Sequence, residues 1–448
     1  MTTTSNPPHR ARSSAGYRPP AMVLTPWGDA DSLRDRMLRP GHRLSREEVA
    51  NNQRERLFAA MVAVCTDKGY EATRVADLLE LSGVSRSAFY EHFEDKQACL
   101  LAAVDALVAP TIGIVSAAGK SKDEEGARRA LEAFIELVAN QAPAARMCLV
   151  EIFAAGPPGA ATIDRATDAF EVFVLEAMQS MPGRENMPPE IVRALLGGLR
   201  KVIHTRLYRG EEKELIDLVP QIWDWGISYT APPVPLRRPR GRTRTRNSDP
   251  GDFDPAERIL RALAAVVAEK GYPELAVGDI AARASISLST FYANFADKEE
   301  AMLAAVDSGS SQMLAATLPA FRRAPDWPHA VRGAFGAMFS FAAMEPEYAT
   351  LGAIDVYAAG KRALEQRDQV MQGMEALLVP GYERRPDVPP IVGEAIGGAI
   401  YSMIYDQIRQ RGAENMPEMA PLAAYITLAP FIGPDEACEI ANGDGRGR

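Results

Sequence analysis

Two short segments carry side chains suited to reading a nucleic acid. In the first, a helix from Arg86 to Phe93 would place Phe89 and Phe93 on one face as its anchor and Arg86 and Tyr90 on another. That second face offers a guanidinium, a phenol and the hydroxyl of Ser87, groups that reach base edges and phosphate oxygens. Ser85 can cap the helix, and the free N–H groups behind it can hold a phosphate. Lys96 stands in the first turn of the next helix, where a cation opposes the helix dipole; an external anion nearby would account for it. The second segment places Ser287, Leu288, Ser289, Thr290, Tyr292, Asn294 and Lys298 in the same register. An FYxxF pattern alone also describes a core aromatic cluster, and a lone surface cation is usually a solvated charge. Recurrence shifts the balance. Phe89/Phe291, Tyr90/Tyr292, Phe93/Phe295, Asp95/Asp297 and Lys96/Lys298 repeat while their neighbours diverge. Packing explains the phenylalanines but not the tyrosine and lysine.

The elements that position these residues repeat too. Lys68 to Asp105 aligns without a gap to Lys270 to Asp307, and Leu57, Met61 and Cys65 fall opposite Ile259, Leu263 and Val267. Near the far ends, PPEIVRALLGG resembles PPIVGEAIGG. A period this long is a domain duplication rather than a solenoid repeat. Strand signals are absent and helix is expected almost throughout. In half one a helix from Arg46 stops at Gly69, a short helix runs from about Val75 to Leu81, Gly83 breaks it, and Asp95 caps a longer helix from Lys96. A long helix, a short helix, a turn and a second short helix make a helix-turn-helix unit. The expected organisation is a disordered basic arm (1–44), head 1 (45–95), body 1 (96–230), an Arg/Pro-rich linker (231–253), head 2 (254–297), body 2 (298–433) and a frayed tail (434–448).

The segments GVSRSAFYEHFEDKQACL and SISLSTFYANFADKEEAML resemble the DNA-binding signature of TetR-type transcriptional regulators, as do the preceding long helix and its Lys-Gly-Tyr stop. The resemblance implies an all-α fold in two halves, each a three-helix head on a helical body that binds an inducer and dimerises. A duplicated chain would then be an intrachain pseudo-dimer, acting as one monomeric chain. The family's DNA-contacting positions carry over to Thr73, Ser85, Arg86, Ser87, Tyr90, His92 and Lys96, and to Ser287, Leu288, Ser289, Thr290, Tyr292, Asn294 and Lys298. Half two departs from the pattern. Leu275 replaces the capping Thr73, and Ser285 replaces Gly83 in a turn where a left-handed backbone would cost ~1 kcal/mol. Leu288 replaces Arg86 and touches a thymine methyl but cannot read guanine. The heads are not basic, but Arg34, Arg36, Arg39, His42 and Arg43 precede the first. Arg237, Arg238, Arg240, Arg242, Arg244 and Arg246 precede the second. They read either as a solubilising linker or as arms that follow phosphates.

In the family the last two helices of each subunit form the dimer interface. That places the seam at Pro189 to Leu207 plus Leu215 to Tyr229, against Pro390 to Ile408 plus Pro417 to Phe431. The pairs Gly197–Gly198 and Gly397–Gly398 lie there, and each helix-interior glycine costs ~1 kcal/mol unless close packing compensates. Phe134, Met147, Phe170, Phe173, Phe335, Met338, Phe339, Met344, Tyr357 and Met371 read as plain core or as the lining of a pocket for a small apolar ligand.

Composition bounds the alternatives. The chain has 448 residues, 47% of them apolar and 24% charged, which suits several folded domains. Four cysteines without CxxC spacing fit a reducing compartment and exclude a zinc ribbon. Five histidines without HExxH leave no metal site, and no cofactor motif appears. A net charge of −9 disfavours indiscriminate coating of nucleic acid. No run of 18 apolar residues and no secretory signal is present, so a cytoplasmic chain without a membrane span is expected. The leading expectation is a DNA-binding transcriptional regulator, a repressor released by a small apolar ligand. The alternative is a ligand-sensing or protein-interaction module in which one or both heads have lost DNA binding. An enzyme is not expected, since no nucleophile–base signature or P-loop appears.

Overall fold

The computed structural model describes residues 23–38, 44–121, 123–237, 239, 253–359 and 361–443. The chain forms two compact units, one ending at Ala103 and the other beginning at Val104.

The first unit opens with a hairpin of β1 (Leu24–Thr25) and β2 (Gly28–Asp29). This corrects the expectation of a disordered arm over 1–44 and of no strands, because residues 23–38 are folded. Val23, Ala30 and Leu33 are buried, and the Trp27 ring centroid lies 5.2 Å from that of Phe58. The turn closes where Gly28 takes φ 104° and Thr25 Oγ1 donates to its carbonyl at 2.7 Å. Three apolar anchors in a polar stretch vanish in an average over forty residues. Two arginines of this basic stretch, read either as solubilising or as following phosphates, are instead bonded within the unit. Arg34 Nε donates to the Glu80 carbonyl at 2.8 Å, and Arg36 donates to the Trp27 carbonyl. Arg39, His42 and Arg43 lie outside the described residues.

Head 1 follows as α1 (Arg46–Ala72, broken at Gly69, φ 75°), α2 (Val75–Ser82) and α3 (Arg86–His92). Ser45 and Glu48 start α1 with a capping box. Gly83 takes φ 67° between α2 and α3. The buried Arg56 donates from Nη1 to the Ser82 carbonyl at 2.7 Å and fastens α1 to the end of α2. Then comes α4 (Lys96–Ala118), whose start is capped where Ala98 N–H donates to Asp95 at 2.8 Å. Against the expectation of no spanning stretch, α4 has the length and composition to cross a membrane; its Cys99, Leu100 and Ala103 are buried.

The second unit continues half one with α5 (Glu124–Asn140), α6 (Ala142–Leu149), a 3-10 turn (Glu151–Ala155), α7 (Pro157–Gln179), α8 (Pro189–Arg209) and α9 (Glu214–Ile227). Head 2 is α10 (Pro255–Lys270), α11 (Val277–Ala284) and α12 (Leu288–Asn294). Body 2 is α13 (Lys298–Arg323), α14 (Trp327–Met344), α15 (Pro346–Ala353), a 3-10 turn (Asp355–Ala359), α16 (Lys361–Glu375), α17 (Val379–Arg384), α18 (Ile391–Arg411) and α19 (Ala420–Ile432). The expected frayed tail is instead a helix as far as Asn442, α20 (Pro434–Asn442), with Ala437, Cys438, Ile440 and Ala441 buried. It holds the start of the linker: Cys438 Sγ donates to the Val234 carbonyl at 3.4 Å, and Arg237 N–H donates to Asn442 at 2.6 Å. Of the linker arginines, Arg238, Arg240, Arg242, Arg244 and Arg246 lie outside the described residues.

α8 and α18 pack against each other in opposite directions. Arg193, early in α8, meets Asp406, late in α18, at 2.6 Å, while Arg206, late in α8, pairs with Glu394, early in α18. Three of the four glycines make the close approach possible. A Cβ on Gly197 would collide with Ser402, one on Gly398 with Lys201, and one on Gly198 with Trp225 and the Ala395 carbonyl. Gly397 faces open space. α9 and α19 close the seam, where Tyr229 donates to the Ile426 carbonyl and Tyr425 to the Thr230 carbonyl, each at 2.8 Å.

Ser285 takes φ 55°, alone among the described non-glycine residues in the left-handed region. Ser285→Gly is therefore expected to stabilise the chain by about 1 kcal/mol, measured as a higher urea midpoint at unchanged m-value.

Candidate nucleic-acid interface

In head 1, Ser85 takes an extended conformation and its Oγ accepts from Ala88 N–H at 3.2 Å, which starts α3 one residue after a glycine-permitted turn. Phe89 is fully buried, and its ring lies 5.8 Å from that of Phe93. With that face anchored, Ser85, Arg86, Ser87 and Tyr90 are exposed, and the Arg86 guanidinium lies 5.7 Å from the Tyr90 ring centre. One short helix thus displays a cation, an aromatic phenol and two hydroxyls to solvent.

Three carried-over positions serve the head itself. Thr73 is 2% exposed, and its hydroxyl donates to the Gly69 carbonyl at 2.7 Å. His92 is half-buried and shares a hydrogen bond of 2.9 Å with Gln53 Oε1; burial, then the nearby Arg54, pulls its pKa down. Lys96 donates to the carbonyls of Tyr70, Glu71 and Thr73 at 3.0, 3.1 and 3.0 Å, and sits 4.4 Å from the Tyr70 ring centre. Burial lowers its pKa. The anion that Lys96 was expected to face is a set of carbonyl dipoles at the end of α1, and its three N–H donors are occupied. Lys96→Ala is expected to destabilise head 1 by about 2–3 kcal/mol and to leave the salt dependence of DNA binding unchanged, as melts and salt titrations would register.

Head 2 repeats the frame with other chemistry at its tip. Phe291 is fully buried, and Ser287, Leu288, Ser289, Tyr292 and Asn294 are exposed, with Thr290 half-buried. Ser287 Oγ lies 2.7 Å from Ser289 Oγ and 2.9 Å from Thr290 Oγ1, and Asn294 donates to the Thr290 carbonyl at 2.8 Å. Leu288, 51% exposed, stands where head 1 has Arg86. Lys298, like Lys96, turns inward: it donates to the Leu275 carbonyl at 3.0 Å beside the Tyr272 ring.

Two recurring pairs escaped the sequence reading although register alone would have found them. Arg258 donates to the Ala284 and Ser285 carbonyls as Arg56 does to Ser82. Lys68–Asp77, at 2.5 Å, is repeated by Lys270–Asp279 at 2.9 Å.

The body residues do not converge on one pocket. Phe134, Phe170 and Phe173 line a cavity of about 240 Å³ built wholly from half one, together with Leu131, Met181, Trp223 and Arg200. Met147 is fully buried and does not line it. In half two, Phe335 and Met338 line a cavity of about 70 Å³, Phe339 is fully buried core, and Met344 is half-buried away from both cavities. The side chains of Tyr357 and Met371 lie outside what is described. Trp223 completes the half-one cavity from α9, a side that Phe and Met positions alone do not mark.

A short helix, a left-handed turn and a serine-capped second helix with one anchored and one exposed face define a helix-turn-helix head of the class that reads duplex DNA. The chain holds two such heads. The model of bacterial regulatory proteins, tetR family, matches residues 57–103 and 259–306, so the DNA-binding region of that family occurs twice in tandem, once in each head. Over 152 residues it is 30% identical to the HTH-type transcriptional activator FasR of Mycolicibacterium smegmatis, covering 33% of this chain and 66% of that protein. Over 55 residues it is 34% identical to the uncharacterized HTH-type transcriptional regulator YerO of Bacillus subtilis, covering 12% of this chain and 19% of that protein. Each match thus spans less than two thirds of the relative's length. The solved TetR family transcriptional regulator PfmR from Thermus thermophilus aligns over 39% of this chain and 95% of its own, at 23% identity and a TM-score of 0.33.

Proposed function

We propose that the chain is a DNA-binding transcriptional repressor that grips a non-palindromic operator with two different heads and is released by a small apolar ligand in body 1. It would act in the cytoplasm as a monomeric intramolecular pseudo-dimer, and the reading assigns it no catalysis. The observation that carries this is the pair of exposed tips on one frame, Ser85-Arg86-Ser87-Tyr90 against Ser287-Leu288-Ser289-Tyr292. Arginine favours the O6 and N7 of guanine, whereas leucine offers only apolar contact. Two further features support it. The α8–α18 packing joins the two halves of one chain, and the half-one cavity has an almost wholly apolar lining in which Thr167 and Arg200 are the polar side chains.

Selection from random DNA tests the reading. One half-site is expected to carry a guanine preference that Arg86→Ala relaxes at a cost of about 1–3 kcal/mol, the other weaker base preference. Light scattering is expected to give the mass of one chain, 48.6 kDa. A symmetric palindrome together with a two-chain mass would overturn it. FasR is named an activator. A reporter assay therefore decides the sign of regulation.

A further inference from the structure

Head 2 is tied to body 2 by a polar network that half one does not possess in its sequence. Arg261 of α10 lies at its centre: its guanidinium is 2.8 Å from Glu257 Oε1 and donates to Glu345 Oε2, at the start of α15, at 2.7 Å. It also stacks over Phe253 at 4.3 Å. Glu257 in turn accepts from Ser308 and Gln312 of α13 and from the Tyr348 hydroxyl of α15, each at 3.2 Å. Glu345 is 5% exposed, so its carboxylate meets Arg261 away from water, where such a bond is strong and directional, while Arg261 and Glu257 keep part of their side chains in solvent. Gly309 lets the Tyr348 ring approach: a Cβ there would lie 3.1 Å from it. The apolar core makes the same connection, because one buried cluster runs from Ile259, Leu263 and Phe291 of the head into Tyr348, Leu351 and Val356 of the body.

At the equivalent positions half one has Glu55 but Ala59 for Arg261, Ala106 for Ser308 and Pro110 for Gln312. It has Leu107 for Gly309, and, matching α6 to α15, Gln141 for Glu345 and Ala144 for Tyr348. Only one acid of the network survives there, without the arginine or the body-side carboxylate.

We infer that Arg261, Glu257 and Glu345 are positioning residues that lock head 2 onto body 2, making it a fixed anchor on the operator whatever fills the cavity of half one. Ligand-dependent release then falls to head 1, and the two half-sites respond unequally. The inference rests on the proposed DNA-binding function only for its consequence, not for the lock itself.

The lock is tested without DNA by pulsed EPR on the full chain carrying Cys148→Ser, with spin labels at the exposed positions Glu274→Cys in head 2 and Glu383→Cys in body 2. One narrow distance distribution is expected, unmoved by the amphiphilic aromatic dye anilinonaphthalene sulfonate and broadened by Arg261→Ala and by the milder Glu345→Gln. A distribution already broad in the parent, shifted by the dye, or left narrow by both variants would overturn it. With DNA, Glu345→Gln is expected to weaken footprint protection of the second half-site about tenfold and to spare the first. Equal loss at both half-sites would count against a role in positioning head 2. A chain that binds no DNA but shows the EPR pattern would sink the proposed function and leave the lock standing.

Discussion

Gly198→Ala is expected to destabilise the chain by about 3 kcal/mol or more, while Gly397→Ala, in the matching pair on α18, is expected to stabilise it by up to about 1 kcal/mol. The two substitutions are chemically identical and both lie inside helices, so helix propensity favours alanine equally. Space separates them. A Cβ on Gly198 would lie 2.5 Å from the Ala395 carbonyl oxygen and collide with the Trp225 ring. Neither neighbour can yield easily. The carbonyl belongs to α18, and Trp225 is 3% exposed with its Nε1 donating to Tyr229 at 3.0 Å. At Gly397 the added methyl meets nothing within 4 Å. Thermal and urea melts of the two full-length variants decide it. The same sign for both would mean that the seam is not set by close contact of α8 and α18.

The charges across the seam bear on which halves pair. Arg193 meets Asp406, Asp168 and Glu171, and Arg206 meets Glu394. If two copies of α8 crossed in this antiparallel way, each Arg193 would approach the end that carries His204 and Arg206, with no carboxylate of α18 to meet it. Like halves are thus penalised and unlike halves rewarded, so half one is matched to half two rather than to a second half one.

The same glycines show how far the sequence could be read. Their helical position and their cost were visible, hence the expectation of a close-packed seam. Which of the four faces a neighbour was not, because that depends on the crossing of helices some two hundred residues apart. The heads were legible in detail, since capping, left-handed turns and aromatic anchoring are local. Lys96 was read to the right degree and in the wrong direction. Its conflict with the helix dipole did signal a negative partner, but the carbonyls of Tyr70, Glu71 and Thr73 reach it only once α1 folds back. The cavity ran against composition. Body 2 is richer in Met and Phe, yet there Trp327, Tyr382 and Phe431 interlock with ring centres 5.4 and 5.1 Å apart, and only about 70 Å³ is left between the helices at Phe335 and Met338. Body 1, with fewer such groups, leaves room. Volume left over is a difference between large quantities, and a list of residue types does not contain it.

Asp355→Asn is expected to remove a pH dependence and to raise stability above neutral pH. Asp355 opens the 3-10 turn after α15, and its Oδ2 is buried without a hydrogen-bond partner among the described residues. Burial alone pushes its pKa up to about 7. Half one meets the same situation differently: Glu151 opens the matching turn and has Arg146 at 3.5 Å, whereas half two has Thr350 where α6 carries that arginine. The sign follows from linkage. Between the unfolded value of ~3.9 and about 7 the native chain holds a proton that the unfolded chain has released, so stability falls as pH rises through that window. Above it the penalty is complete. A shift of ~3 units sets a ceiling of about 4 kcal/mol, and residual solvent access brings the expected effect to roughly 2 kcal/mol. Glu375 and Asp164 are also raised by burial and tilt the curve the same way. The informative quantity is therefore the difference between parent and variant, taken from urea melts at pH values from acid to mildly alkaline. The asparagine variant should be the more stable above neutral pH and should lose its advantage toward the acid end. Parallel curves would show that Asp355 is already charged and satisfied in the native chain.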